Sequence, residues 1–289
     1  GQSTGGQSAS AVQTPSGNRP SVDAVAKPLP PDAAPPDQQV FRFLAYEPAS
    51  LDISMTVYLS GGSEFVFERL CMLDHNNELI PGAAERWESS PDGKTWTFHL
   101  RPGARWSDGT PITAHDFEYT YRRLLDPNGG NVYAFFYYDI KGAKEYNSSK
   151  ETDAGKLAAL RNAIGVQATD DYTLKITLKQ QRATLLQLMA LWPTYPVRQD
   201  IIEKNGEKWT EKDTYIGNGP FKMSEWVHQD HITLVANDKY WGTKPKLQKI
   251  ELRMITDANQ SLAAYKNNEL EVSGVPVGSE GAIMEDPVL

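Results

Sequence analysis

Sequence patterns typical of strands and of helices alternate along the chain from Val40 onward, and this interleaving restricts the possible folds most strongly. Hydrophobic residues recur with a period of two in Val40–Ala45 and again in residues 250–254. They recur every three or four residues in residues 117–125. Period two is typical of a strand with one buried face, and the longer period is typical of an amphipathic helix. Because both patterns are mixed throughout, the sequence predicts an α/β or α+β fold.

Local signals fix several of these elements. The turn sequence PDGK between residues 87–90 and 95–100 predicts a β-hairpin. Ser63 is predicted to cap a helix after the Gly61-Gly62 pair, and Thr113 with Asp116 resembles a capping box. Further helices are predicted near 152–163, 184–191, 199–205 and 259–267, and a second hairpin over 221–236.

The first 39 residues differ in composition from the rest. They contain no aromatic residue and hold 7 of the 19 prolines. The run GQSTGGQSAS is typical of a flexible linker, and KPLPPDAAPP of a stiffer, proline-rich spacer. Such a segment buries too little apolar surface to offset its ordering entropy. We therefore predict a disordered tether over residues 1–39, the alternative being a low-complexity segment without a role.

Composition argues against several classes of function. The chain has 29 Lys and Arg against 37 Asp and Glu, a net charge of −8, which disfavours nucleic acid as a partner. Cys71 is the single cysteine, so no intramolecular disulfide or cysteine-rich zinc site is possible. We predict that Cys71 is a core residue. No apolar run reaches the roughly 18 residues of a membrane helix.

No group of residues predicts catalysis. His228 and His231 are close in sequence but fall at a hairpin turn without a third ligand, so we predict no metal site. The LSGGSE segment before a helix lacks the Lys-Ser/Thr of a phosphate-binding loop, which leaves anion binding only weakly supported. The tryptophans are expected in the core more often than at a ligand. We predict a protein that is not an enzyme and has no cofactor.

One long stretch carries a much stronger signal. Residues 81–127 read PGAAERWESSPDGKTWTFHLRPGARWSDGTPITAHDFEYTYRRLLDP. This run resembles the signature of extracellular solute-binding proteins of family 5, the oligopeptide- and dipeptide-binding subunits of ABC importers. The resemblance continues in order through GVQATDDYTLKITL, GNGPFKMSEW and AAYKNNELEVSG, and covers about residues 39–276. Asn268 stands where relatives usually have glycine, and Asn tolerates the left-handed conformation expected there.

The resemblance implies an α/β fold of the Venus-flytrap type, like a periplasmic binding protein of type II, with a small inserted α+β domain. It implies that residues 40–80 form the first part of lobe I, 81–164 the inserted domain and 165–275 the second part of lobe I. Residues 276–289 would then begin a second lobe that is largely absent from this chain. We therefore expect a fragment or a truncated gene, with an incomplete cleft that binds ligand weakly and with strands 40–45 and 249–255 in the same lobe.

The resemblance also implies where a ligand makes contact. In relatives an extended peptide is held through its backbone, much as in strand addition. The implied contact residues form two loops and one tyrosine of the inserted domain: Tyr58, Leu59, Ser60, Gly61 and Gly62; Ser273, Gly274 and Val275; and Tyr133. The glycine pair is consistent with close approach of a ligand backbone.

The function implied is capture of oligopeptides outside the cytoplasm for an ABC importer. The implied partners are the peptide and the ABC permease subunits, with the membrane reached only through a lipid anchor on a cysteine before Gly1. A monomer at the periplasm or the outer face of the cell membrane is expected. The alternatives are the same fold binding a nickel complex, haem or an oligosaccharide, and a peptide-sensing or adhesion protein that takes no part in transport.

Overall fold

The computed structural model of the chain describes residues 31, 33–55 and 61–285. Most of the predicted tether, residues 1–30, lies outside the described residues. The described end of that segment contains a 3-10 turn, Pro36–Gln38, in which the Gln38 N–H donates to the Pro35 carbonyl at 2.8 Å. The Gln248 N–H donates to the Gln39 carbonyl at 2.8 Å. Regular structure therefore begins slightly before the boundary predicted at residue 39.

Strands and helices alternate within the described residues, as the sequence patterns predict. The strands are β1 Val40–Ala45, β2 Cys71–Leu73, β3 Leu79–Pro81, β4 Ala84–Ser89, β5 Thr95–Leu100, β6 Val166–Asp170, β7 Thr173–Thr177, β8 Phe221–Val227, β9 His231–Ala236 and β10 Lys249–Met254. The α-helices are α1 Ser63–Val66, α2 Ala114–Leu124, α3 Ala143–Asn147, α4 Ala154–Asn162, α5 Leu185–Met189, α6 Gln199–Asn205, α7 Ala258–Lys266 and α8 Glu280–Met284.

The described chain divides into two compact units. Unit I comprises Glu68–Ala104 and Pro111–Gln199. Unit II comprises the described residues of Pro20–Phe67, together with Arg105–Thr110 and those of Asp200–Leu289. Each unit has its own sheet and its own buried hydrophobic core.

The sheet of unit II has the strand order β1-β10-β9-β8. β1 and β10 are parallel and in register from Val40 opposite Lys249 to Ala45 opposite Met254. This confirms the prediction that two strands about 200 residues apart belong together. β8 and β9 form the predicted second hairpin. The core on this sheet includes Leu234, Ile250 and Leu252, each at most 2% exposed.

The sheet of unit I is antiparallel with the order β4-β5-β7-β6. The predicted PDGK hairpin joins β4 to β5, and α2 packs on the sheet with its buried residues Phe117 and Tyr121. The predicted capping box is present, because the Thr113 N–H donates to the Asp116 carboxylate at 2.8 Å. The sheet includes β6 and β7, so this unit extends beyond the boundary predicted at residue 164.

Three further predictions concern Cys71, the tryptophans and Asn268. Cys71 is fully buried as predicted, and burial raises the pKa of its thiol to about 12. Of the seven tryptophans, five are buried and two are partly exposed: Trp87, Trp96, Trp106, Trp209 and Trp241, then Trp192 and Trp226. Asn268 has a φ of 59°, the left-handed conformation expected at the end of α7.

The predicted helix cap at Ser63 is wrong. Gly62, with a φ of 76°, is the capping residue, and Ser63 is the first residue of α1. The Ser63 hydroxyl lies 2.9 Å from the Tyr215 hydroxyl, and the hydrogen bond between them is buried inside unit II. A buried hydrogen bond to a side chain 152 residues away overrides the local capping preference of serine.

Candidate functional site

The predicted contact segment Ser273–Val275 continues directly from a short parallel pairing with β1 in unit II. Val272 forms an isolated parallel bridge with Phe43, and the Glu271 N–H donates to the Arg42 carbonyl at 2.9 Å. β1, β10 and this segment therefore run in one direction, and residues 273–275 pass the carboxyl end of β1. Ligands of open α/β sheets bind at the carboxyl ends of the parallel strands. The segment is thus placed where a ligand of this fold class is expected.

Within the segment, Ser273 and Gly274 have different environments. The Ser273 hydroxyl donates to the Ser261 hydroxyl of α7 at 3.0 Å, so this side chain fixes the loop to the helix. Among the described residues, a Cβ placed on Gly274 would have one neighbour within 4 Å, the Leu44 side chain at 3.9 Å. Gly274 is therefore not required by packing. The open space above its Cα allows another backbone to approach closely.

The surroundings of the glycine pair Gly61-Gly62 differ from those of Gly274. Both residues are buried and have left-handed φ angles of 59° and 76°. A Cβ on Gly61 would lie 2.2 Å from the Leu51 side chain, and one on Gly62 would lie 2.7 Å from Leu234. Packing and backbone conformation account for these glycines without a ligand. Their part in ligand contact stays a prediction, and Tyr58, Leu59 and Ser60 lie outside the described residues.

Tyr133 belongs to unit I, where it is part of an aromatic cluster. Its ring stacks on Phe136 at a centroid distance of 5.8 Å and meets Trp192 edge-on at 5.1 Å. The Tyr133 N–H donates to the Asn131 side chain at 2.8 Å. The neighbouring Val132 and Phe135 are about half exposed, at 52% and 55%. Its contact with a ligand stays a prediction.

An ion pair that the sequence patterns did not reveal holds Ser273–Val275 beside β1. The Arg42 guanidinium donates to the Glu271 carboxylate at 3.1 Å, and the Arg42 N–H donates to the same carboxylate. Burial alone would raise the pKa of Glu271, but the bonds from Arg42 outweigh it and lower this pKa below its usual value of 4.5. The two residues are 229 positions apart, so no local pattern could have paired them.

A second charged cluster lies at the turn between β8 and β9. The Glu47 carboxylate accepts hydrogen bonds from the His228 ring at 2.8 Å and the Gln229 N–H at 2.9 Å. Glu211 lies 3.6 Å from the other ring nitrogen. The bond to Glu47 is the main cause that raises the pKa of His228 above 6.5. His228 is thus an ion-pair partner that fixes the turn to the segment after β1.

No helix among residues 33–55 and 61–285 is both long and apolar enough to cross a bilayer. In the same part of the chain, no three His, Cys, Asp or Glu side chains come together in a way that could hold a metal ion.

The sheet of unit II, with a contact segment at the carboxyl end of its parallel strands, is typical of an α/β ligand-binding protein. Residues 78–288 match the family described as bacterial extracellular solute-binding proteins, family 5 middle. The chain belongs to this family, which is a class of solute-binding proteins and not of enzymes.

Comparison with individual proteins agrees with this assignment. Over 215 residues, 73% of this chain, it is 41% identical to the oligopeptide-binding protein OppA of Bacillus subtilis, of which it covers 38%. Listeria monocytogenes OppA bound to peptide superposes over 86% of this chain and 49% of that one, with a TM-score of 0.77 and 27% identity. The pheromone receptor PrgZ, described with its mode of peptide binding, gives a TM-score of 0.75 at 27% identity, over 86% of this chain and 49% of that one. The chain therefore spans less than half the length of these relatives.

Proposed function

We propose that this chain is the part of an extracytoplasmic solute-binding protein that captures oligopeptides for an ABC importer. The observation that carries the proposal is the path of Ser273–Val275 past the carboxyl end of β1, with Gly274 half-buried and loosely packed where a Cβ would lie. An extended peptide could pair there through its own backbone, which accounts for tolerance of many side chains. The relatives named for oligopeptide binding support this choice of ligand.

In this proposal, unit II is lobe I of a Venus flytrap and unit I is the domain inserted into it. The proposed ligand contacts are the loop containing Gly61 and Gly62, the segment Ser273–Val275, and Tyr133. The proposed partners are the peptide and the ABC permease subunits, and the proposed location is the periplasm or the outer face of the cell membrane. The lipid anchor and the monomeric state stay predictions made from the sequence.

The proposal is tested by calorimetric titration of the complete gene product that contains this sequence. A pool of tri- to pentapeptides of varied composition should bind, because contacts to the peptide backbone are available to every sequence. The 289-residue chain should bind the same peptides more weakly if a second lobe supplies half of the contacts. Binding of a nickel complex, haem or an oligosaccharide, with no binding of peptides, would contradict the proposal.

A second candidate is a peptide receptor that signals without transport. The structural likeness to the pheromone receptor PrgZ favours it. The two candidates share a peptide ligand and differ in its fate. Disruption of the gene should abolish uptake of radiolabelled peptide if the protein serves an importer. Unchanged uptake together with a lost transcriptional response to peptide would favour the receptor.

A further inference from the structure

A cavity of about 290 Å³ lies in unit II beside the proposed backbone contacts. Its lining includes Ser273, Gly274 and Val275 together with residues of α7 and α8. Five of the lining side chains are apolar or aromatic: Leu262, Tyr265, Val272, Val275 and Ile283. Most of the side chains that line the cavity are therefore apolar or aromatic, and the cavity lies next to the segment proposed to hold the peptide.

Two polar side chains of this lining, Glu271 and Ser273, already have partners within the protein. Glu271 is the one charged residue among the described residues of the lining, and its carboxylate is bonded to Arg42. The Ser273 hydroxyl is bonded to Ser261. An apolar group could enter without leaving either of these two side chains unpaired, whereas an anionic group would lose hydration and meet the Glu271 carboxylate, which carries a charge of the same sign.

The size of the cavity agrees with a single large side chain. An apolar cavity of about 150 Å³ is enough to admit a benzene molecule, and this space is larger. Val272 and Val275 are about half exposed, at 49% and 50%, so apolar surface remains here for a ligand to cover.

We propose that this cavity receives one apolar side chain, of leucine or phenylalanine size, from a peptide whose backbone contacts Ser273–Val275. The inference rests on the proposed peptide-binding function and adds a side-chain preference to it. The protein should therefore select the side chain at one position of the peptide and tolerate varied side chains at the other positions. At that position leucine or phenylalanine is favoured over alanine, and aspartate is disfavoured.

The preference is measured with alanine pentapeptides in which leucine, phenylalanine or aspartate is placed at each position in turn. Calorimetric titration of the complete gene product should find one position where leucine or phenylalanine binds about tenfold or more tightly than alanine, the effect of burying about three extra carbon atoms. Aspartate at that position should bind no better than alanine. Peptide binding with no positional preference would overturn this inference and leave the proposed function intact. Failure of every peptide to bind would overturn both.

Paired substitutions then locate the preference in the cavity. Leu262→Asp places a carboxylate in the lining, and Ala263→Asp places the same group at an exposed position of the same helix. We expect Leu262→Asp to reduce the leucine-to-alanine ratio to about twofold or less, and Ala263→Asp to leave the ratio near tenfold. If Leu262→Asp fails to fold, Val275→Asp places the same carboxylate in the lining and should give the same reduced ratio.

Unchanged preference in both Leu262→Asp and Val275→Asp would overturn the assignment. If a different group filled the cavity, such as another segment of the same gene product, the variants would give a different result. These variants would then lower the thermal unfolding midpoint strongly while the peptide preference stayed the same, and that result also contradicts the proposal.

Discussion

Glycine residues in unit II serve two different purposes, and substitution can separate them. Gly62 is buried with a φ of 76°, and a Cβ there would meet Leu234 at 2.7 Å. Gly274 has no left-handed φ and has open space where a Cβ would lie. An added methyl group should therefore destabilise the fold at Gly62 and hinder the approach of a ligand at Gly274.

We predict that Gly62→Ala lowers the free energy of unfolding by about 1–3 kcal/mol, because alanine is strained at this φ and displaces Leu234. Gly274→Ala should change this free energy by less than about 0.5 kcal/mol. Denaturant unfolding of the two variants measures both values. Equal destabilisation would show that Gly274 is also required by the fold.

Peptide binding should respond to these two substitutions in the opposite order, with the larger effect at Gly274. Gly274→Ala should weaken peptide binding about tenfold, because the added methyl group keeps the peptide backbone away from the segment. Gly281→Ala is the matched control, since its Cβ would have no neighbour within 4 Å and it lies in α8. Calorimetric titration should find the affinity of this control unchanged. A Gly274→Ala protein with normal affinity would remove Gly274 from the contact surface.

At the β8–β9 turn, the account predicts an elevated pKa for His228. The bond to Glu47 raises the pKa of His228 above 6.5, so this group contributes stability below about pH 6.5, and the contribution is lost as pH rises through the folded-state pKa. NMR titration should find that Glu47→Gln lowers the pKa of His228. Glu225→Gln removes a partner of His231 instead and should leave the titration of His228 unchanged. An unshifted His228 in the unmodified protein would contradict the ion pair.

At the scale of elements, the position of the contact segment depends on its attachment to β1. The two are joined by the bridge between Phe43 and Val272, the backbone hydrogen bond from Glu271 to Arg42 and the ion pair between these two side chains. Loss of the carboxylate should loosen the segment without unfolding the sheet, because β1 remains paired with β10 along its whole length.

We predict that Glu271→Gln lowers the free energy of unfolding by about 1 kcal/mol at neutral pH, since a partly buried, multiply bonded ion pair is lost. The pKa of Glu271 is lowered in the folded state, so its contribution is complete above about pH 4.5 and is lost as pH falls through the folded-state value. The stability difference between the variant and the unmodified protein should therefore shrink below pH 4.5. Glu269→Gln, at an exposed carboxylate, is the control. A difference that does not depend on pH would contradict this assignment.

The elements that sequence alone predicted are those with local signals. The PDGK turn specified the β4–β5 hairpin, and Thr113 with Asp116 specified the start of α2. Ser63 was wrongly predicted as a cap because its hydroxyl bonds Tyr215, a residue distant in sequence. The parallel pairing of β1 with β10 was expected only from the family resemblance, since periodicity contains no information on which strands pair.

At the scale of the whole molecule, the family resemblance supplied the class of protein, and chemistry within the units adds detail to the site. The glycine pair Gly61-Gly62 was predicted from its flexibility, yet packing explains it. Gly274 was one of three residues in a predicted loop, and its open surroundings now distinguish it from Ser273. The Arg42–Glu271 ion pair and the cavity beside Val275 depend on long-range contacts, which sequence patterns do not encode.

The central claim is that a peptide binds through its backbone along Ser273–Val275, at the carboxyl end of β1. Hydrogen–deuterium exchange of the complete gene product, with and without a saturating pentapeptide pool, tests it most directly. The account predicts slower exchange of the backbone amides of residues 273–275 when peptide is present, and unchanged exchange along the β4–β5 hairpin. Peptide binding that leaves the exchange of residues 273–275 unchanged would contradict the account.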